Sequence, residues 1–315
     1  MKQLNNESIK ISVLIITRNR SEMLVGCLDS LVKQTRLPDE VIVVDNSSTD
    51  NTKKVILSFK KSLPIRYVFE KQIGIPFARN RGLQHTTGSL ILMLDDDCSA
   101  DKFWVERMAY AHKKYPKAWV VQGRTYSLPK ESLYSVVSEF TRFIYIQNYA
   151  KKIIPIRSFF KKYFTDEMEI LTCATINFSI KTSYLKKHKL SFDTNFYRGE
   201  DTDLGRQIMQ KNGLIMFCPD SIVGHYERST LPEFLEQQWH IGRTNAILEN
   251  KRRNLFVKIN IPWSDKFISF LLFCKIFNFS QWHKMPVLII LIFLAKTYRI
   301  IGYFFEKRIL TLEKQ

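Results

Sequence analysis

The chain has 315 residues, 45% of them hydrophobic, and carries 48 Lys and Arg against 30 Asp and Glu, a net charge of +18. The hydrophobic fraction is ample for a packed core and implies a globular protein, while the positive balance points to an anionic partner: nucleic acid, a membrane surface or a phosphorylated substrate. Cys27, Cys98, Cys173, Cys218 and Cys274 are scattered without the paired spacing of a zinc site or a disulfide framework, which fits a reducing cytoplasm.

The opening MKQLNNESIK is polar, and the apolar run after it is too short and wrongly flanked for a signal-peptide core, so no export signal is expected. From residue 11, apolar runs alternate with helical stretches. ISVLIIT is followed by a helix from Ser21 to Gln34, EVIVVD by a helix near Asp50 to Lys60, and IRYVFE by a helix from about Pro76 to His85 that leads into LILMLD. Strands taking turns with helices predict a parallel sheet wrapped in helices. Ligands in such sheets bind beyond the carboxyl ends of the strands, where Thr17, Asp45 and Asp95 fall.

Asp95, Asp96 and Asp97 stand directly behind the apolar run Leu90 to Leu94. Like charges so crowded favour a cation. A hard divalent ion such as Mg²⁺ or Mn²⁺ takes one or two protein carboxylates and completes its shell with water and substrate phosphate. Taken alone, the triplet also admits the lesser reading of a solvated acidic turn.

Residues 125 to 170 are rich in Tyr, Phe, Lys and Arg with poor periodicity, and read either as an inserted segment facing substrate or membrane or as a basic surface loop. Further on, RGEDTDLGR places Glu200, Asp201 and Asp203 together just ahead of the amphipathic LGRQIMQKNG; alone, this is an acidic helix start. A strand, LIMFCP, precedes VGHYER, in which His225 is either a third metal ligand or diphosphate contact, or a satisfied structural histidine. QWHIGRTNAI offers Trp239, His240 and Arg243 as a lid.

Past residue 250 the chain is basic (KRRNLFVK) and then apolar, with FISFLLFCKIF at 267 to 277 and PVLIILIFLAKTYRIIGYFF at 286 to 305. The second run has the length of a membrane span, but Lys296 and Arg299 interrupt it, each costing about 2.5 to 3.5 kcal/mol at a bilayer centre. Lys296, Arg299, Tyr303 and Glu306 form one polar stripe on a helix, which suits a helix lying in the interface of an anionic membrane. A helix buried against the domain or a dimer partner is the alternative.

Four segments together, VLIITRNR, VIVVDNSSTD, GIPFARNRGLQHTTGSLILMLDDD and FDTNFYRGEDTDLGRQIMQKNG, resemble in order and spacing the family 2 glycosyltransferases, over about residues 10 to 245. The resemblance implies a GT-A fold: an α/β, Rossmann-like, mainly parallel sheet flanked by helices, here with a helical apolar C-terminal extension. It implies an inverting transfer from a nucleotide-sugar donor with Mn²⁺ or Mg²⁺ as cofactor. Thr17 and Arg18 would border the base and ribose, and Asp45 would accept a hydrogen bond from a pyrimidine, which favours a UDP-sugar. NSSTD also reads as a helix N-cap with Asp50 in the first turn. Arg79 would lie near the donor phosphates or base, Asp95 at the ribose or the outer coordination shell, Asp96 at the variable middle position, and Asp97 on the metal with His225. Asp201 would be the catalytic base and Glu200 an acceptor contact.

Residues 1–250 are thus expected to form the catalytic domain and 251–315 a membrane-associated helical region. The expected partners are a nucleotide-sugar donor, a saccharide or lipid-linked saccharide acceptor for cell-surface polysaccharide, and an anionic membrane surface. The protein would sit in the cytoplasm, peripheral on the inner face of the cell membrane. No nucleic acid is expected, since no nucleic-acid motif accompanies the basic stretch. The rival reading is a basic nucleic-acid- or membrane-binding scaffold without catalysis.

Overall fold

The computed structural model describes residues 9–130, 132–148, 150, 163–251 and 284–313. The first half alternates strands and helices as the sequence predicts: β1 (Ile11–Thr17), α1 (Ser21–Val32), β2 (Glu40–Asp45), α2 (Thr52–Ser58), β3 (Ile65–Phe69), α3 (Ile75–His85) and β4 (Leu90–Leu94). β5 (Cys98–Ala100), α4 (Trp104–Lys114), β6 (Ala118–Leu128) and α5 (Leu133–Asn148) follow. Beyond them come β7 (Met168–Ile170), β8 (Asn177–Lys181), α6 (Thr182–Lys187), α7 (Glu200–Gln210), β9 (Leu214–Tyr226), α8 (Leu231–Lys251) and α9 (Met285–Leu312).

These strands form one sheet in the order β3-β2-β1-β4-β8-β6-β9-β5, with β7 also paired to β9. Pairing is parallel across β3, β2, β1 and β4. Beyond β4 the sheet is mixed: β8 runs antiparallel to β4 and β6, while β6 and β9 are parallel. The parallel character expected of the sheet therefore belongs to its first four strands, where each return passes through a crossover helix.

Burial on both faces explains the unbroken apolar runs of β1, β2 and β4. Successive side chains of β2 point to opposite sides, Ile42 and Val44 into one core and Val41 and Val43 into the other. One face is covered by Leu24, Cys27, Leu28 and Leu31 of α1 with Trp104, Val105 and Met108 of α4. The other is covered by Ala78 of α3, Val136, Val137 and Phe143 of α5, and Leu204 and Ile208 of α7.

Three sequence expectations shift. β9 does not stop at LIMFCP but continues to Tyr226, so His225 lies within a strand rather than after one. The register breaks between the Gly123–Cys218 and Arg124–Ile222 pairs, which leaves Pro219 in the irregular stretch where a strand tolerates it. The segment expected as a lid is part of the continuous helix α8, and Trp239 packs on Phe305 of α9, ring centroids 5.4 Å apart.

The third shift concerns the polar stripe of α9: Arg299, Tyr303 and Glu306 face α8 rather than the outside, while Lys296 is exposed. The Arg299 guanidinium donates to Gln238 Oε1 at 2.7 Å, Arg243 Nε pairs with Glu306 at 2.6 Å, and the Tyr303 hydroxyl donates to Glu249. Burial lowers the Arg299 pKa to about 10. Arg299 is therefore spent inside the molecule, and the outward residues of α9 are mostly apolar, with Phe293 68% and Phe304 62% exposed alongside the exposed Lys296, Lys307 and Arg308. By length and composition α9 is long and apolar enough to cross a membrane. Leu288, Leu291 and Ala295 of α9 join the same core cluster as α5 and α7. The aromatic and basic stretch around 151–162 and the apolar run at 267 to 277 lie outside the described residues.

Candidate active site

Register brings the expected strand ends together. Thr17 is paired with Asp45 across β1 and β2, and Leu14 with Met93 across β1 and β4, so the carboxyl ends of three strands open at one level. Thr17 is buried, and Arg18 is exposed. Asp45 is buried and accepts the Ser48 amide at 2.9 Å on one oxygen and the Tyr67 hydroxyl at 2.9 Å on the other. Burial and Asp45 together push the Tyr67 phenol up to about 12. Asp50 lies ahead of α2 rather than in its first turn, and receives the Ser21 and Thr52 amides at 3.0 Å.

The acid triplet follows β4. Asp96 and Asp97 are each 4% exposed, and Arg20, at the start of α1, bridges them: its Nη1 lies 2.9 Å from Asp96 Oδ1 and 2.9 Å from Asp97 Oδ2. Burial pushes the Asp96 carboxyl up to about 6 despite the opposing pull of Arg20. Burial acts the same way on Asp97, but His225 and Arg20 outweigh it and hold that carboxyl well below the ordinary range. Asp95 is raised by burial, against the pull of Arg79.

β9 brings His225 alongside. Cys98 pairs with His225 in the β5–β9 ladder, and the Tyr226 amide donates to the Asp97 carbonyl at 2.9 Å. His225 Nε2 then lies 3.4 Å from Asp97 Oδ1, and its Nδ1 is 2.9 Å from Glu227 Oε1. Glu227 is buried, accepts the Ser127 hydroxyl at 2.9 Å, and is ion-paired to Arg142 of α5. Burial lowers the His225 pKa, but Asp97 and Glu227 prevail and raise it to about 9.

A second bridge joins the triplet to α7. Arg79 of α3 is buried, with Nη2 3.1 Å from Asp95 Oδ1 and Nη1 on Glu200. Glu200, expected to contact an acceptor, is instead 2% exposed and turned inward onto this guanidinium. Arg79, expected near donor phosphates or base, has both ends engaged by carboxylates. α7 begins after Gly199, whose left-handed backbone (φ 85°) suits a residue without a side chain; a Cβ there would meet Thr244 Cγ2 at 2.1 Å. In that first turn Asp201 is half-buried, with one oxygen 2.6 Å from the Thr202 amide and the other 3.4 Å from the Thr175 amide. Asp203 is buried and accepts Gln207 Nε2 at 2.8 Å.

The fold thus gathers Asp95, Asp96, Asp97, Arg79, Glu200 and His225 into one charged cluster, with Asp201 on the adjoining turn and Thr17 and Asp45 at neighbouring strand ends. Arg20, Glu227, Arg142 and Tyr67 were not singled out in the sequence. Arg20 and Glu227 stand inside quoted motifs, VLIITRNR and VGHYER, whereas Arg142 and Tyr67 carry no local signal.

The donor set suits a divalent ion. Asp97 and His225 converge, and Glu227 on the far nitrogen of His225 fixes ring and tautomer as a carboxylate commonly does behind a metal-bound histidine. No cluster of three or more His, Cys, Asp or Glu arranged for a metal is present among the described residues, so the remaining positions would fall to water and phosphate.

A sheet of this topology with acids massed at its strand ends defines a GT-A type glycosyltransferase fold. The family model for glycosyl transferase family 2 matches residues 12–189, more than half of the chain, and the chain belongs to that family. It is 36% identical over 138 residues to validoxylamine A glucosyltransferase of Streptomyces hygroscopicus subsp. limoneus, covering 41% of this chain and 30% of that protein. It is 24% identical over 262 residues to glycosyltransferase GlyA of Streptococcus pneumoniae serotype 4, covering 80% and 35%. The chain spans about a third of the length of these relatives. Among solved structures, the mannosyltransferase PcManGT from Pyrobaculum calidifontis in complex with GDP-Man and Mn²⁺ aligns with TM-score 0.63 at 14% identity, covering 96% of this chain and 88% of that one. S. aureus TarS 1-349 in complex with UDP-GlcNAc aligns with TM-score 0.52 at 17% identity, covering 97% and 92%. At these identities the likeness establishes the fold.

Proposed function

We propose that the protein transfers a sugar from a nucleoside-diphosphate sugar, a UDP-sugar in preference, to a hydroxyl of a saccharide or lipid-linked saccharide, with inversion. The observation that carries this reading is the convergence of the acids after β4 with the first turn of α7, through Arg79, and with β9, through His225, at the open end of the parallel strands. Thr17, Arg18 and Asp45 form the nucleotide end. Each oxygen of Asp45 keeps a lone pair free for a pyrimidine N–H beyond the bonds from Ser48 and Tyr67.

Asp97 and His225 would hold a Mn²⁺ or Mg²⁺ ion, which when bound supplies positive charge to the departing diphosphate. Asp201 takes the proton of the attacking hydroxyl; it is half-buried on the turn adjoining the cluster and, unlike Glu200, is not tied to Arg79. Residues 1–250 act as the catalytic unit, and the outward apolar face of α9 lays the enzyme on the inner membrane surface, where a lipid-linked acceptor for surface polysaccharide is held.

A nucleotide panel with and without Mn²⁺, read by thermal shift, tests this. One nucleoside diphosphate should raise the melting temperature in a Mn²⁺-dependent way in the wild type and not in Asp97→Ala. Asp201→Asn should keep that response and lose turnover. Indifference to every nucleotide, or full turnover by Asp201→Asn, overturns the reading or the base assignment respectively.

A further inference from the structure

Beside the acid cluster, Arg198 and Arg228 line a cavity of about 180 Å³ with Glu233, Glu236, Gln237 and His240. Neither guanidinium has a carboxylate within 4 Å among the described residues, and Arg198 Nε is buried without a hydrogen-bond partner. Burial and the nearby Arg228 charge lower the Arg198 pKa, the mark of a cation held without its counter-charge. The two acids stand at the rim: Glu233 is exposed, and Glu236, with its side chain 69% exposed, faces His240 Nε2 at 3.6 Å. Two like charges left together in a concave, partly dehydrated site are set up for an oxyanion with several acceptor atoms.

Glu236 is also a wall of a second, larger concavity. This groove of about 660 Å³ between α8 and α9 is lined by Leu231, Pro232, Leu235, Trp239, Tyr298 and Ile301. Its surface is mostly hydrocarbon, and its wall residues Tyr298 and Ile301 of α9 are exposed. A cationic pocket that shares the wall residue Glu236 with an apolar trough matches a molecule with a phosphate at one end and a long alkyl chain at the other.

Resting on the transferase reading above, we propose that the acceptor is a phosphorylated lipid whose phosphate sits between Arg198 and Arg228 while its chain lies in the groove formed by Leu231, Leu235, Trp239 and Ile301. Arg198 is three residues from Asp201 in sequence, and the charge of Arg228 bears on Asp97. A phosphate held there carries its attached saccharide toward the base, and the lipid leaves along the face that meets the membrane.

Dodecyl phosphate below its micelle concentration is the probe, with dodecanol and inorganic phosphate as single-feature controls and calorimetry as the readout. Dodecyl phosphate should bind at least about tenfold more tightly than either control, since both burial of a chain and pairing to Arg contribute. Arg198→Gln with Arg228→Gln should bring dodecyl phosphate down to the level of dodecanol. Leu231→Glu with Ile301→Glu, at exposed positions, should bring it down to the level of inorganic phosphate and leave the nucleotide thermal shift intact. Equal binding of dodecyl phosphate and dodecanol overturns the proposal. Displacement of dodecyl phosphate by UDP with Mn²⁺ also overturns it, because the arginines then belong to the donor diphosphate. Selective dodecyl phosphate binding in a protein indifferent to every nucleotide supports the lipid site and sinks the transferase reading instead.

Discussion

Asp95 and Glu200, one at the end of β4 and the other in the first turn of α7, share the single guanidinium of Arg79. Without that cation, two carboxylates would face each other in a buried site, so Arg79 sets the distance between the two acidic halves of the cluster. Removing one partner of a buried ion pair commonly costs about 3–5 kcal/mol. Arg79→Met should therefore lower the melting temperature by roughly 10 °C, at about 2–4 °C per kcal/mol in a chain of this size. Adding Glu200→Gln to Arg79→Met should restore part of the loss. Thermal denaturation of the single and double variants checks both, and a single variant as stable as wild type would remove Arg79 from this role.

Arg20 presents a different balance. Its guanidinium occupies the concave side of Asp96 and Asp97, where it neutralises the repulsion between them. Arg20→Gln should destabilise the metal-free protein, and Mn²⁺ should then raise its melting temperature by more than it raises that of wild type, because the ion supplies the missing charge. Thermal shift across a Mn²⁺ titration reads this directly. A smaller Mn²⁺ response in the variant would mean that Arg20 helps to hold the ion rather than standing in for its charge.

The parallel half of the sheet was legible in the sequence because its strands are buried on both faces, which writes them as unbroken apolar runs. The acids at their ends were legible for the same reason: each polar group stands where such a run stops. β9 was cut short because Pro219 reads as a terminus, and only the pairing irregularity opposite Gly123 shows how the strand passes through it. The inward turn of Glu200 had no local signal, since it depends on Arg79 arriving from another helix. Three members of the α9 stripe turn inward, as the alternative of a helix buried against the domain has it, and the fourth, Lys296, stays exposed. Spacing places Arg299, Tyr303 and Glu306 on one face, but only Gln238, Glu249 and Arg243 of α8 show which way that face turns.

His112 gives a pH test remote from the site. It is 4% exposed in α4, with Nε2 2.9 Å from the Ser179 hydroxyl, and burial, aided by Lys181, lowers its pKa to about 3. The folded pKa lies below the unfolded value of about 6.5, so the unfolded chain binds the proton more readily. The stability contributed is whole above about pH 6.5 and is lost as pH falls toward 3, amounting to about 2 kcal/mol at pH 5. Denaturant unfolding of wild type and His112→Gln should show their stability difference shrinking by that amount between pH 7 and pH 5. A difference constant over that interval would refute the buried neutral histidine.

The seam between α8 and α9 depends on close approach at two glycines. A Cβ on Gly302 would lie 2.2 Å from the Trp239 carbonyl oxygen, and one on Gly242 would lie 2.0 Å from that of Arg299. Gly302→Val must push the helices apart, which would break the contacts of Arg299 with Gln238 and of Arg243 with Glu306. Overpacking alone costs about 1–3 kcal/mol. Limited proteolysis should cleave the variant near α9 at protease concentrations that leave wild type whole, while equal resistance would show that the seam yields without opening.

The outward face of α9 should govern membrane attachment. Phe293 and Phe304 are exposed, and the ring contact that replacing them removes is the edge contact of Phe304 with Tyr303, centroids 5.3 Å apart, which leaves the Tyr303 bond to Glu249 in place. Burying a Phe side chain in an apolar medium is worth about 1.5–3 kcal/mol, or more than tenfold in partitioning. Phe293→Glu with Phe304→Glu should therefore reduce flotation with vesicles containing anionic lipid by at least tenfold without lowering the melting temperature. Because Arg299 is bound to Gln238 inside the molecule, salt acts on α9 through the exposed Lys296, Lys307 and Arg308, and should weaken wild-type flotation less than this double substitution does. If salt releases the protein and the two glutamates do not, attachment rests on basic residues elsewhere in the chain, and the apolar face of α9 has another occupant.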